Sequence, residues 1–364
     1  MAYTTINDPT KYFNTVIYTG NGTDDHAITG VGFQPDFIWQ KNRTDAVNHG
    51  LFDTVRGIGG GSNTKRLASN DNSSEDEASN TVKSVDSDGF TLGTNPNLNG
   101  SSDSNVAWNW LAGGTASSNT DGSITASVSA STTSGFSIVS FTGNGTSGAT
   151  VGHGLGAVPK FIIVKRRDTT GRWQTYHVGR STSTPENQYG FLDGDEASAS
   201  ATNRWNDTAP TSSVFSLGNS TEVNASGGTY VAYVFANVQG FARFGRYSGN
   251  NSSDGSLTYL GFKPALLIIK RHASTGDWVI KDNKRSGTSA LQNFGQMNPN
   301  QTQHPTANNT NAENKASAFA VDILSNGFKL RGTDADINAS ATYLYWAVAE
   351  APFVTSTGIP TTAR

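Results

Sequence analysis

Three short apolar runs stand out along the chain: Phe37-Ile38-Trp39, Phe161-Ile162-Ile163-Val164 and Leu266-Leu267-Ile268-Ile269. Each starts two residues after a proline (Pro35, Pro159, Pro264). Bulky or β-branched residues at consecutive positions, in runs too short for a helix, predict strands buried on both faces. A proline is tolerated at such a strand's start, where its missing N–H costs least. Three later runs alternate instead. Val106, Trp108 and Trp110 share one face, as do Val231, Tyr233 and Phe235, and Leu344, Trp346 and Val348. Period two with one large apolar face predicts a sheet packed on another layer. The segments "DTTGRW" (168–173) and "ASTGDW" (273–278) put Gly in a tight connection and read as hairpins. "NAENKASAFAVDIL" from Asn311 has a helical look, but it aligns with strand-like segments elsewhere and is discounted.

These runs belong to one pattern written three times. About 17 residues before each proline lies an aromatic followed by a turn: Tyr18 in "YTGNGT", Phe141 in "FTGNGT", Tyr247 in "YSGNNS". Downstream come Phe90, Phe215 and Phe328, then Asn99, Asn224 and Asn338, then the alternating strand. The reading is an all-β protein of three tandem, jelly-roll-like β-sandwich domains with very little helix. The expected boundaries are an anchoring segment over 1–17, a first repeat over 18–114 and a Ser/Thr/Gly-rich linker over 115–134. A second repeat over 135–240, a third over 241–352 and a tail over 353–364 follow. The short "ANVQGFARFGRY" between repeats two and three implies that those two pack together.

Composition agrees: 35% hydrophobic and 15% charged residues, with Gly, Ser, Thr and Asn filling the gap. The net charge of -3 offers no field for nucleic acid. With no cysteine there is no disulfide, thiolate metal site or Cys nucleophile. No run is apolar enough to span a membrane, and the first residues do not read as a secretory signal. The six histidines show no metal-ligand spacing, so no metal or cofactor is expected. "GHGLG" (152–156) precedes a β run instead of a helix, so it is a tight loop and not a phosphate cradle. Asp24 with Asp25, and Asp86 with Asp88, sit in turns, and "SEDEAS" around Glu75 reads as a solvated loop. Lys41, Lys165 and Lys270 end the buried runs and read as the chain's exit to solvent. No catalytic constellation is present, so an enzyme is not expected. Trp173, Trp278 and His49, each 14 residues after its proline, are the candidate binding residues, a stacking platform for sugar rings. The competing reading packs each ring on its own sandwich. Tyr12 and Phe13 are the candidate anchors to a partner.

Taken as a string, "GNGT…GFQPDFIWQKNR…FDTVRG…DSDGFTLG…SNVAWNWLAGG", "GFSIVSFTGNGT…VGHGLGAVPKFIIVKRRD…GTYVAYVFA" and "GFKPALLIIKR…LSNGFKLRG…EAPFVTSTGIPTTAR" resemble the tandem units of virion structural, tail-fibre-like proteins of marine tailed bacteriophages, of cyanophage and pelagiphage type. The resemblance spans nearly the whole chain and supplies no catalytic residues. It implies a tail-fibre or appendage protein with a role in host-surface adhesion. A capsid-decorating or head-fibre protein is the alternative, and a surface-glycan depolymerase ranks third. The implied partners are other virion proteins, a host-surface glycan or receptor, and further copies in a homotrimer, on a particle assembled in the host cytoplasm.

Overall fold

The computed structural model describes residues 4–58, 64–285, 300–301, 306–312 and 317–352. Among these the chain is all-β, with four one-turn α-helices. Unit 1 contains β1 (Phe13–Thr19), β2 (His26–Thr29), β3 (Phe37–Asn42), β4 (Gly50–Asp53), β5 (Thr64–Arg66), β6 (Asp76–Ala78), β7 (Val82–Asp86), β8 (Gly89–Leu92), α1 (Pro96–Asn99) and β9 (Ser104–Trp110). Unit 2 contains β10 (Ser117–Asn119), β11 (Ala126–Ser131), β12 (Phe136–Thr142), β13 (Ala149–Gly152), β14 (Pro159–Arg166), β15 (Gln174–His177), β16 (Gln188–Phe191), β17 (Ala199–Ser200), α2 (Thr202–Trp205), β18 (Val214–Leu217), α3 (Thr221–Asn224) and β19 (Thr229–Ala236). Unit 3 contains β20 (Ala242–Ser248), β21 (Leu257–Tyr259), β22 (Phe262–Arg271), β23 (Trp278–Asp282), β24 (Asn300–Gln301), β25 (Val321–Leu324), β26 (Gly327–Leu330), α4 (Ala335–Asn338) and β27 (Thr342–Pro352).

One strand order recurs. The principal sheets run β1-β9-β3-β4, β12-β19-β14-β15 and β20-β27-β22-β23, and the second sheets pair β2 with β8, β13 with β18 and β21 with β26. The doubly buried runs are therefore the central strands β3, β14 and β22, as their patterning requires. Pro159 opens β14, whereas Pro264 sits inside β22 at a break in its register with β27, the other place where a sheet accepts proline.

The repeated landmarks have a common wiring. "GNGT", "GNGT" and "GNNS" are Asx turns, in which Asn21, Asn144 and Asn250 accept from the backbone two residues on. Asn99, Asn224 and Asn338 end the short helices and are fully buried. Each donates from Nδ2 to two carbonyls: Thr23 and Gly93, Thr146 and Gly218, Ser252 and Gly332. Each accepts at Oδ1 from the Asx turn. One side chain thus ties a helix to a turn and a strand end. Asn338→Ala should cost about 1–3 kcal/mol by orphaning these buried groups. Urea unfolding checks this, and a loss near zero would remove the pin from the account.

Three expectations about boundaries are corrected. Residues 115–134 are no linker: β10 and β11 extend the principal sheet of unit 2 beyond β12, with Ile124, Ala126 and Val128 buried in its core. The anchoring segment is part of the body, because Phe13–Ile17 pair with β9 in strand β1. Phe13 is buried beside Trp110, and Tyr12 packs edge-on against Phe241 of unit 3 at 6.0 Å. Both anchors are thus committed inside the chain. Nor does each unit keep a core to itself. Units 1 and 2 enclose separate clusters between their own sheets, around Ile38, Phe52 and Phe90 and around Val139, Phe215 and Tyr230. The aromatic faces of β9, β19 and β27, however, meet in one shared core with residues of all three units. Phe37 lies 4.4 Å from Tyr233, Trp110 5.5 Å from Trp346, and Phe235 4.4 Å from Trp346, ring centroid to centroid. The large face of each closing strand is therefore an inter-unit surface. The tail over 353–364 and His304 lie outside the described residues.

Candidate functional site

The candidate sugar platform is inside the protein. His49, Trp173 and Trp278 are all buried, and each reaches into a different unit. Trp173 Nε1 of unit 2 donates to Ala68 O of unit 1 (2.9 Å). Trp278 Nε1 of unit 3 donates to Phe191 O of unit 2 (2.8 Å), and His49 Nε2 of unit 1 meets Thr306 O of unit 3 at 3.0 Å. His49 Nδ1 accepts from Trp39 Nε1 (2.9 Å), so Nε2 carries the proton and is the donor. The three acceptors are equivalent: each lies two residues before the side chain that receives the backbone N–H of the ring residue in the acceptor's own unit, namely Asn70 for His49, Asp193 for Trp173 and Asn308 for Trp278. The contacts run head to tail, 1 to 3, 3 to 2 and 2 to 1. A heterologous contact that closes after three steps is a cyclic, pseudo-threefold arrangement within one chain. Neither the surface platform nor packing within one sandwich describes these rings, because an indole N–H buried at a seam takes the nearest free carbonyl, here the neighbour's.

The basic residues after the apolar runs share this role. Lys41, Lys165 and Lys270 are buried, not solvated. Their Nζ atoms donate to Thr310 O (3.3 Å), Asn72 O (3.2 Å) and Asp195 O (2.8 Å), again in units 3, 1 and 2. Burial pushes Lys165 and Lys270 down to about 8. The loop around Glu75 is also a joint. The Glu75 side chain, 9% exposed, pairs with Arg56 of its own unit at 3.0 Å and with Arg167 of unit 2 at 2.9 Å.

A buried carboxylate completes two of the three seams. Asp53 Oδ2 accepts from Arg56 Nε and from Tyr233 Oη of unit 2 (2.7 Å). Asp282 Oδ2 accepts from Arg285 Nε and from Trp108 Nε1 of unit 1 (3.0 Å). Burial opposes the charge on Arg56, but Asp53 beside it overrides this and raises the guanidinium above its ordinary value.

With the repeated rings spent on closure, the open chemistry lies elsewhere. A cleft of about 530 Å³ forms where the chain passes from unit 2 to unit 3. Its floor is apolar (Val238, Ala242, Leu260, Phe262), and Asn237, Gln239, Arg243 and Tyr259 stand around it. Tyr259 is 51% exposed, unusual for so large a ring. Arg243, an exposed residue, donates from Nη1 to Leu260 O at 3.3 Å and also interacts with the Tyr345 hydroxyl. Asn237 Oδ1 is taken by the backbone of Phe244, and among the described residues neither its Nδ2 nor the Gln239 amide has a protein partner. An aromatic face beside amides and a guanidinium suits a hydroxylated ring bearing a carboxylate. Sequence reading passed over these residues. The signal was there: Tyr259 on β21 pairs with Gly327 of β26, and the corresponding residues of β2 and β13 are Thr29 and Gly152.

Among the described residues no group of three or more His, Asp or Glu could hold a metal ion. The "GHGLG" loop turns inward, with His153 Nδ1 accepting from Leu155 N and Nε2 meeting Thr211 O. Asp88 sits in the β7–β8 turn and accepts from Gly30 N and Gly32 N, while Asp24 and Asp25 pair with Lys83.

Residues 8–352 match the family described as Domain of unknown function (DUF7483), and the chain belongs to that family. No curated protein and no solved structure matches it.

Proposed function

We propose that this protein is a non-catalytic structural component of a tailed-bacteriophage particle, a tail-fibre or appendage protein that holds the host surface through the cleft around Tyr259. The phage assignment rests on the resemblance of the repeated motifs. The adhesion role rests on one observation, the half-exposed Tyr259 ring standing over a 530 Å³ cleft beside Arg243 and Gln239. That volume suits one or two sugar residues. The ligand class is an envelope glycan carrying acidic sugars, with the ring stacking on the sugar face and the guanidinium paired with the carboxylate. Tyr259→Ala and Arg243→Ala should each weaken binding to extracted bacterial surface glycan at least about tenfold, a loss of about 1.4 kcal/mol. Their melting temperatures should not change, because both side chains are exposed. Equal binding by wild type and both variants on a glycan array would sink this reading.

Capsid decoration has an observation of its own in its favour. Three equivalent units around one pseudo-axis present three similar edges, which suits a seat on a threefold position of a shell. The same symmetry suits the tip of a trimeric fibre and removes the need for this chain itself to trimerise. Gold labelling of particles separates the two: label on the tail supports the appendage, and label over the head supports decoration.

A further inference from the structure

We infer that the seam between units 2 and 3 binds a small monovalent anion of halide type, held by the Arg180 guanidinium where the other two seams carry an aspartate. The three units align as Asp53-x-x-Arg56, His177-x-x-Arg180 and Asp282-x-x-Arg285. In units 1 and 3 the carboxylate does two things. Oδ1 accepts the arginine's backbone N–H, and Oδ2 accepts both the arginine Nε and a ring donor from the neighbouring unit.

His177 performs only a counterpart of the first task, on the residue before the arginine. Its Nδ1 accepts from Gly179 N at 2.9 Å, which makes Nε2 a donor, and Nε2 meets Tyr345 O at 3.1 Å. Nothing replaces Oδ2. Its two donors are then both orphaned, for Arg180 Nε and Trp346 Nε1 are buried without a hydrogen-bond partner. Trp346 holds the register position of Trp108 and Tyr233, opposite the fourth residue after the proline in each principal sheet.

The remaining Arg180 nitrogens meet only hydroxyls, those of Ser198 and Thr175. The side chain is 2% exposed. The titratable groups that feel it, Lys270, His272 and His177, are cations or bases, and Arg180 lowers all three. Burial alone pulls Arg180 itself down to about 9. A buried cation without a counter-charge is strongly unfavourable, and a buried N–H without an acceptor adds to it. One monatomic anion in place of the missing carboxylate oxygen answers both. A phosphate would bring more oxygens than there are orphaned donors.

Bromide is the probe. Crystals soaked in sodium bromide should show an anomalous peak within hydrogen-bond distance of Arg180 Nε. In solution the melting temperature should rise with each tenfold step in chloride and stay flat in gluconate of equal ionic strength. His177→Asp restores the internal carboxylate and should melt higher than wild type, with no chloride dependence. Should that variant fail to fold, Arg180→Met removes the cation and should also abolish the dependence. No bromine peak at Arg180, or a chloride dependence that persists in Arg180→Met, overturns the inference.

Discussion

Asp53→Ala should lower the stability of the chain by about 3 kcal/mol, the lower end of what breaking a buried ion pair costs. Asp53 is fully buried and its Oδ2 accepts from Arg56 Nε and Tyr233 Oη, so one substitution orphans donors from two units. The value falls at the lower end because Glu75 remains paired with Arg56 Nη1 at 3.0 Å. Removing Glu75 as well should take the loss further. Marginal stabilities are about 5–15 kcal/mol, so this is a large share of the total. The double variant Asp53→Met with Arg56→Leu separates charge from packing. It should recover only part of the loss, since apolar side chains often replace a buried pair at little cost but the Tyr233 hydroxyl loses both its partners. Urea unfolding followed by tryptophan fluorescence measures both. Should Asp53→Ala unfold within 1 kcal/mol of wild type, the seam is not held by this carboxylate.

That seam shows what could be read in advance and what could not. The central strands were legible because proline and consecutive bulky residues constrain a local segment whatever its surroundings. The Asn99, Asn224 and Asn338 pins were legible as landmarks because all three copies keep them, though their partners were not. The D-x-x-R pattern was equally visible in register, and so was its break at His177, but a residue triplet does not disclose that it is buried. The lysines were misread for a definite reason. Their partners are backbone carbonyls of Thr310, Asn72 and Asp195, and a carbonyl acceptor leaves no mark on residue identity. The mistaken linker has another cause. Ile124, Ala126 and Val128 alternate as a strand should, but with side chains so small that the Ser and Thr between them dominate the composition. Tyr259 carries no such mark, because Thr29 and Gly152 stand at its place in the other copies and a surface site is free to exist in one copy only.

Acid should unfold this protein earlier than its modest charge suggests, and the histidines held down furthest, His49 and His177, dominate the window, with burial holding His153 and His272 down in the same sense. Burial is the main force holding His49 and His177 down to about 3, with Lys41 and Arg180 adding to it. Unfolded, each protonates near 6.5. Between those values the unfolded chain binds more protons than the folded one, so stability is fully present above pH 6.5 and is lost as pH falls toward 3. Each histidine contributes about 1.4 kcal/mol per pH unit across that interval, hence on the order of 5 kcal/mol from the pair by pH 4.5. Asp336 acts in the opposite sense. Burial, with Asp277 and Asp334 nearby, raises it to about 6, so its folded form binds the extra proton and recovers part of the loss between pH 6 and 3.8. The histidines outweigh it because they are two and their shift is larger. The structural reason for their resistance is concrete. Protonating His49 at Nδ1 would set a new N–H against the Trp39 Nε1 donor, and protonating His177 at Nδ1 would set one against Gly179 N. His49→Gln and His177→Gln keep an acceptor and a donor but cannot titrate, so each should take about 1.4 kcal/mol per pH unit out of the acid loss and flatten the fall of melting temperature between pH 6.5 and 4.5. A wild-type melting temperature that is flat over that range, or a slope that both variants leave intact, would assign the acid transition to the carboxylates instead.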